Sequence, residues 1–169
     1  MGLPRKLKNI NAYSANTSYL GTIGEYEEPK IAAINDDWRA GGMPGSVKVD
    51  KGVEAMEATM TMGGHTAELV RTFGTTDVAG VLLRLVGAYQ ADDGSAAQAV
   101  EIYLGGRFTE IDFGKAKPGD DTEHKYKMAV AYYRRVVDGV EEVEIDMLAG
   151  IYKFGGIDRY AEIMAILTS

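Results

Sequence analysis

The sequence predicts a mainly β (α+β) protein, a β-sandwich or barrel-like fold with long hairpins and two short helices, and three observations predict it. Apolar residues recur with a period of two over "VEAMEATMTM", residues 53–62, and again from Tyr126 to Ile151. Asp138-Gly139 stands inside that second stretch, and this pair tolerates the positive φ that both centres of a two-residue hairpin turn demand. Helical spacing is confined to two short segments, one after "GGH" and one at the C-terminal end. Many strands against two short helices select the class.

Residues 9–51 are punctuated by Gly21, Gly24, Pro29, Gly41, Gly42, Pro44 and Gly45, with short apolar pieces between, and read as strands and loops. Next, Met56, Ala58, Met60 and Met62 share one face of a strand, with Glu57, Thr59 and Thr61 on the other. Core packing accounts for the methionine stripe, because Met fills irregular gaps and no Cys or His joins it to make a soft-metal site. A short helix is predicted over 66–73: Thr66 is the N-cap candidate, Ala67, Leu69, Val70 and Phe73 are its apolar positions, and Gly74 stops it. A ribbon follows, "VLLRLVGAYQ" from Val81, a turn at "ADDGS", and "AQAVEIYLGGRFTEIDF" from Ala97, with a bulge or bend at Gly105-Gly106. The loop "GKAKPGDDTEH" leads into the hairpin centred on Asp138-Gly139. After "FGG", Asp158 is placed to cap a final amphipathic helix, "RYAEIMAIL". The chain is expected to form one domain, 1–169, with an N-terminal arm at about 1–12 and a C-terminal helix at about 158–167.

With Asp138-Gly139 as the turn, Val137 faces Val140 and the remaining pairs can be read outward. One face sets Tyr126, Met128, Val130 and Tyr132 opposite Ile151, Ala149, Met147 and Ile145. The other sets Arg135 opposite Glu142, Tyr133 opposite Glu144, and Ala131 opposite Asp146. A slip of one residue would turn every apolar side chain outward, so the pattern specifies this register. Arms of roughly 12 residues would reach about 40 Å at ~3.3 Å per residue, well beyond an ordinary strand.

Composition narrows the function classes. Hydrophobic residues make up 46% and charged residues 25%, an ordinary globular balance. The net charge of −7 disfavours a nucleic-acid binder, since grip on phosphate comes from Lys and Arg. The absence of cysteine excludes disulfides and thiolate metal sites and fits synthesis in a reducing cytoplasm. No apolar run approaches the ~20 residues of a membrane span, and "MGLPRKLKNINAY" has basic residues without the apolar core of a signal peptide. Myristoylation is not expected either, because Lys6 stands where Ser or Thr is required. Arg5, Lys6 and Lys8 form a small basic cluster in an acidic chain, a solvated terminus or a contact for an acidic neighbour.

Catalytic and metal chemistry find little support. His65 and His124, the two histidines, have no i+4 partner and no metal-ligand spacing. Gly114-Lys115 lacks the spacing of a phosphate-binding loop, and Ala116 replaces the required Ser or Thr. Asp36-Asp37, Asp92-Asp93 and Asp120-Asp121 read as turn residues rather than a calcium loop. Nothing supports a hydrolytic triad. No catalytic residue, metal or cofactor is assigned, and an enzyme is not expected.

Several stretches in order, "LPRKLKNINAY", "EEPKIAAINDDWRAGGMPGSVKVDKGVEAMEATMTMGG", "GRFTEIDFGKAKPGDDTEHKYKMAVAYYRRVVDGVEEVEIDM" and "GIDRYAEIMAIL", resemble the major tail tube proteins of contractile-tailed bacteriophages. That family also supplies the inner tube of R-type pyocins. The resemblance covers nearly the whole chain, and "RAGGM", "GVEAME" and residues 106–146 carry it most specifically. Tyr13 to Gly24 and the linker near Ala91 depart from the pattern.

The resemblance implies a tail-tube fold whose protomers assemble six to a ring, with strands of the six closing into a barrel and rings stacking into a hollow tube. Implied partners are further copies of the chain, a tail sheath protein, a tape-measure protein, and baseplate and tail terminator proteins. DNA would pass through the lumen during ejection without specific binding, and no membrane is involved; the expected place is the virion, after synthesis in the bacterial host cytoplasm. Glu142, Glu144 and Asp146 are the expected lumen-facing acids, and Arg5, Lys6, Lys8, Asp138 and Gly139 the expected inter-subunit contacts. Alternatives are the inner tube of a headless contractile particle, a secretion-system tube protein, and a monomeric small-ligand-binding β-barrel, which would bury an apolar cavity.

Overall fold

The computed structural model describes residues 2–169. In chain order it contains β1 (Lys6–Ser14), β2 (Thr17–Ser18), β3 (Ile23–Glu27), β4 (Ala33–Trp38), β5 (Val47–Val53), β6 (Met56–Met62) and α1 (Ala67–Arg71). Then come β7 (Val81–Gln90), β8 (Gln98–Asp112), β9 (His124–Val137), β10 (Val140–Asp146), β11 (Ile151–Phe154), β12 (Ile157–Asp158) and α2 (Ala161–Leu167). Ten strands form one sheet with the path β12-β11-β10-β9-β8-β7-β1-β2, while β6 attaches to β9 and β3 to β6. The sheet is not closed. β4 and β5 stand apart as a two-stranded ribbon.

The apolar alternation explains the core. Met56, Ala58, Met60 and Met62 of β6 are buried as their period of two requires, against Leu83, Leu85, Ile102, Leu104, Phe108, Tyr126, Met128 and Val130. The space left among these side chains is about 10 Å³, far below the hundreds of Å³ of a ligand pocket. The open sheet and this narrow core space count against a monomeric ligand-binding barrel.

The long hairpin is built differently from its predicted form. The turn is correct, with Val137 opposite Val140, Asp138 at φ 48° and Gly139 at φ 79°. β9 has 14 residues but β10 only 7. Asp146 ends β10 because its Oδ1 accepts the N–H groups of Leu148 and Ala149, both at 3.0 Å, a side-chain turn that competes with the ladder. The chain then folds back as β11, which pairs with β10 from Asp146↔Ile151 to Val143↔Phe154. The far half of β9 is covered instead by β6, with Met56 opposite Val130, Ala58 opposite Met128 and Met60 opposite Tyr126.

Two bulges also displace the register. Glu142 is an extra residue in β10, so Tyr133 lies opposite Ile145 rather than Glu144, and Tyr132 opposite Asp146. In β9, Ala131 is extra where Gly105 pairs with Tyr132 and Gly106 with Val130, which confirms the irregularity predicted at this glycine pair. Each extra residue exchanges the two faces of its strand. Tyr133, not Tyr132, consequently joins the core beside Val130, and Ile145 reaches it from β10.

The helices are shorter than predicted. Thr66 occupies the N-cap position of α1 without a side-chain cap. Its hydroxyl hydrogen-bonds Tyr126 Oη instead, and only Leu69 is buried. Phe73 lies beyond the helix and is exposed. In α2 the N-cap is Tyr160 rather than Asp158. Asp158 Oδ1 accepts the N–H groups of Tyr160 at 2.9 Å and Tyr152 at 3.2 Å, so it fastens the approach to the helix to β11.

Candidate assembly surface

Cross-strand registers place one row of residues on the sheet face opposite the core. Tyr13 of β1 lies opposite Arg84 of β7, Arg84 opposite Tyr103 of β8, and Tyr103 opposite Arg134 of β9. Arg134 then faces Glu144 of β10, Glu144 faces Lys153 of β11, and Lys153 faces Asp158 of β12. The row thus runs from one margin of the sheet almost to the other. The Glu142 bulge sets Glu144 opposite Arg134, and the Ala131 bulge turns that side of β9 away from the core.

From Arg84 to Lys153 each charge in this row has a partner of opposite sign. The Arg84 guanidinium lies 5.0 Å from the Tyr13 ring centroid and hydrogen-bonds Glu101. Tyr103 Oη donates to Glu101 at 3.2 Å, and Arg134 stacks 5.4 Å from the Tyr103 ring. Arg134 Nε donates to Glu141 at 2.8 Å and lies 3.8 Å from Glu144. Tyr132 Oη donates to Glu144 at 3.1 Å, and Lys153 Nζ is 3.9 Å away. The hydrogen bond from Arg84 holds the Glu101 carboxyl below its ordinary range. Burial, and then the Glu144 charge, push the Tyr132 phenol up to about 12.

The acids expected in the lumen have different surroundings. Glu144 is part of the row. Glu142, on its bulge, hydrogen-bonds Arg135, which also donates to Glu28 at 3.1 Å. Asp146 is spent on the turn after β10. The three therefore do not form a free acidic band.

The expected contact residues are placed as follows. Residues 6–14 are a strand hydrogen-bonded to β7, with Lys6 opposite Gln90. Lys8 Nζ reaches Asp92 of the same chain at 2.7 Å, while Arg5 and Lys6 are exposed. The Asp138 N–H donates to Ala99 O and its Oδ1 accepts the Ala99 N–H, both at 2.9 Å, joining the hairpin turn to the start of β8.

The margins are sparsely covered. β2 pairs with β1 only at Tyr13 and Ser14. Further along β1, Asn9 Oδ1 accepts the Ile10 N–H at 2.9 Å and Asn11 Oδ1 the Ala12 N–H at 2.8 Å. At the other margin β12 contributes two residues.

His65 and His124, remote in sequence, meet edge to face with centroids 5.3 Å apart, and Phe113 packs on His124 at 5.2 Å. Among the described residues no group of three or more His, Cys, Asp or Glu is arranged to hold a metal ion.

The family model for phage tail tube protein FII matches residues 4–167. The chain belongs to this tail tube family. It is 38% identical over 162 residues to the tail tube protein of Escherichia phage P2, covering 94% of both chains. It is also 38% identical over 164 residues to the major tail tube protein of Serratia phage KSP20, covering 96% of this chain and 94% of the relative. Among solved structures, the fold matches a chain from a cryo-EM structure of an extracellular contractile injection system, a PVC sheath/tube terminator in the extended state. The TM-score is 0.57 at 10% identity, over 79% of this chain and 96% of that one. The protein is thus a structural subunit of phage tail tubes. The tail tube resemblance was legible in the sequence; the cross-sheet row was not, because its register depends on the Glu142 bulge and its face on the Ala131 bulge.

Proposed function

We propose that copies of this chain join margin to margin, the β1–β2 side of one sheet against the β11–β12 side of the next, closing six to a ring. Rings stack into the hollow inner tube of a contractile phage tail, through which DNA passes on ejection. The observation that carries this reading is a single ten-stranded sheet left open at both ends of its path. Open strand margins invite another strand, and a closed ring of identical heterologous contacts leaves none exposed. The role is structural rather than catalytic. Partners are further copies, a sheath, a tape-measure protein inside during assembly, and baseplate and terminator proteins at the ends.

The row from Tyr13 to Asp158 is the wall that faces the lumen. Its cations are already engaged by Glu101, Glu141 and Glu144, so it offers passing phosphate no free counter-charge. Arg5 and Lys6 are left to dock on an acidic surface of an adjoining copy, whereas Asp138 and Gly139 shape the turn presented to it.

Negative-stain microscopy and ultracentrifugation of the purified protein test the assembly. Hexameric rings or tubes are expected, and a chain that stays monomeric at high concentration even with tail baseplates present overturns it. For the wall, E101Q/E144Q tubes are expected to retain DNA during ejection at low salt and release it at high salt. Normal ejection, or a tube map with these side chains outside, overturns the assignment.

A further inference from the structure

Two elements have apolar faces that nothing among the described residues covers. The first is the β4–β5 ribbon, a two-stranded sheet of its own, where Trp38 pairs with Val47 and Asp36 with Val49. Pleating puts Ile34, Asp36, Trp38, Val47 and Val49 on one face; Trp38 is 58% exposed and Val47 51%. A lone two-stranded ribbon is marginal in water. The second is α2, seven residues with none buried. Met164 holds it over Gly150, while Ile163, Ile166 and Leu167, at i, i+3 and i+4, form a stripe turned to solvent, with Ile166 75% and Leu167 68% exposed. A helix this short does not persist without tertiary contacts.

Charge matches the two. The ribbon cleft that Trp38 and Val49 line also carries Asp36 and Lys51, and α2 and its approach carry Glu162 and Arg159. Among the described residues none of these four has an ion-pair partner. Lys51 complements Glu162, and Asp36 complements Arg159.

We propose that α2 of one copy seats its Ile163, Ile166 and Leu167 stripe on the Trp38 face of the β4–β5 ribbon of another copy. The inference rests on the tube reading, which supplies the second copy. Because donor and acceptor faces differ, the contact is heterologous and repeats from copy to copy. It gives both elements the cover that neither finds at home.

The chain has no cysteine and one tryptophan, so both can be used as clean reporters. W38C and I166C proteins are mixed, assembled and treated with a short bismaleimide, and the Trp38 emission of unmodified protein is followed through assembly. Cross-linked dimer from the mixture, a blue shift on assembly, and a drop of about tenfold in association with L167D, where a charge meets an apolar face, are the expected results. Rings or tubes that form with no dimer from the mixture and unshifted Trp38 emission overturn this contact and leave the tube reading standing. A Trp38 shift that appears only on adding a tail protein of another kind overturns it in favour of that occupant. No assembly under any condition overturns both.

Discussion

Gly106 passes so close beneath the backbone of Ala129 that a Cβ at Gly106 would fall 2.2 Å from the Ala129 carbonyl oxygen. This contact lies beside the β9 bulge, where Gly106 is opposite Val130, and the obstacle is backbone, which cannot rotate aside. Gly106→Ala is expected to cost about 2–3 kcal/mol through overpacking. Urea unfolding of the monomer measures it; a loss within the ordinary surface range would mean that the strands separate freely here.

Alkaline solutions should weaken the fold in a defined window. Burial, followed by the Glu68 charge, holds Tyr19 at about 12; burial, followed by the Tyr89 interaction, holds Tyr26 there. Tyr132 is also at about 12, and Tyr133, buried and donating to Glu28 at 2.7 Å, is raised further. In the unfolded chain these phenols titrate near 10. Both states hold the protons below that, so the stabilisation is complete. Above it the unfolded chain releases protons first, and stability falls as pH rises from about 10 through about 12. Tyr133→Phe should flatten the decline in urea midpoint, and an identical slope in the variant would exclude Tyr133 as a source.

Acid acts in the opposite sense on Glu101. The Arg84 hydrogen bond depresses its pKa in the fold, so its contribution is present above the unfolded value of about 4.3 and is lost as pH falls below it. Glu101→Gln should make the midpoint less sensitive to pH between about 5 and 3. The same pH slope in both proteins would show that Arg84 and Glu101 are not coupled in solution.

Gly150 has φ +71°, and a Cβ there would lie 2.5 Å from Met164 Sδ. Gly150→Ala is expected to cost about 1–2 kcal/mol from the left-handed backbone alone and to lift α2. Hydrogen exchange at residues 161–167 should then accelerate while β8 and β9 stay protected. Met164→Ala in the same chain removes the collision but keeps the backbone penalty, which separates the two effects.

Where burial and period agreed, the sequence was readable. The Met56 to Met62 stripe and the Asp138-Gly139 turn were visible, because each depends on residues close in sequence, and Gly105-Gly106 marked where the β8–β9 register shifts. The pairing beyond Glu141 was not, since Glu142 and Ala131 each add a residue that alternation alone cannot reveal. Nor could the sequence show that β6 would replace β10 along half of β9: both offered apolar alternation, and the Asp146 turn decides between them. The histidine pair was invisible because 58 residues lie between its members, one in the loop before α1 and the other at the start of β9.

Asn9 and Asn11 answer the N–H groups of Ile10 and Ala12 from within β1 itself. An incoming strand that claims those donors must first displace two carboxamides, exchanging one hydrogen bond for another. Such an exchange returns little until many have been made together, so a collision between two free subunits is a poor start. A template that engages the whole margin at once recovers the loss in a single step. If copies join margin to margin as proposed, open arcs would be poor species, and the closed ring, which makes every such exchange at once, would be the favoured one.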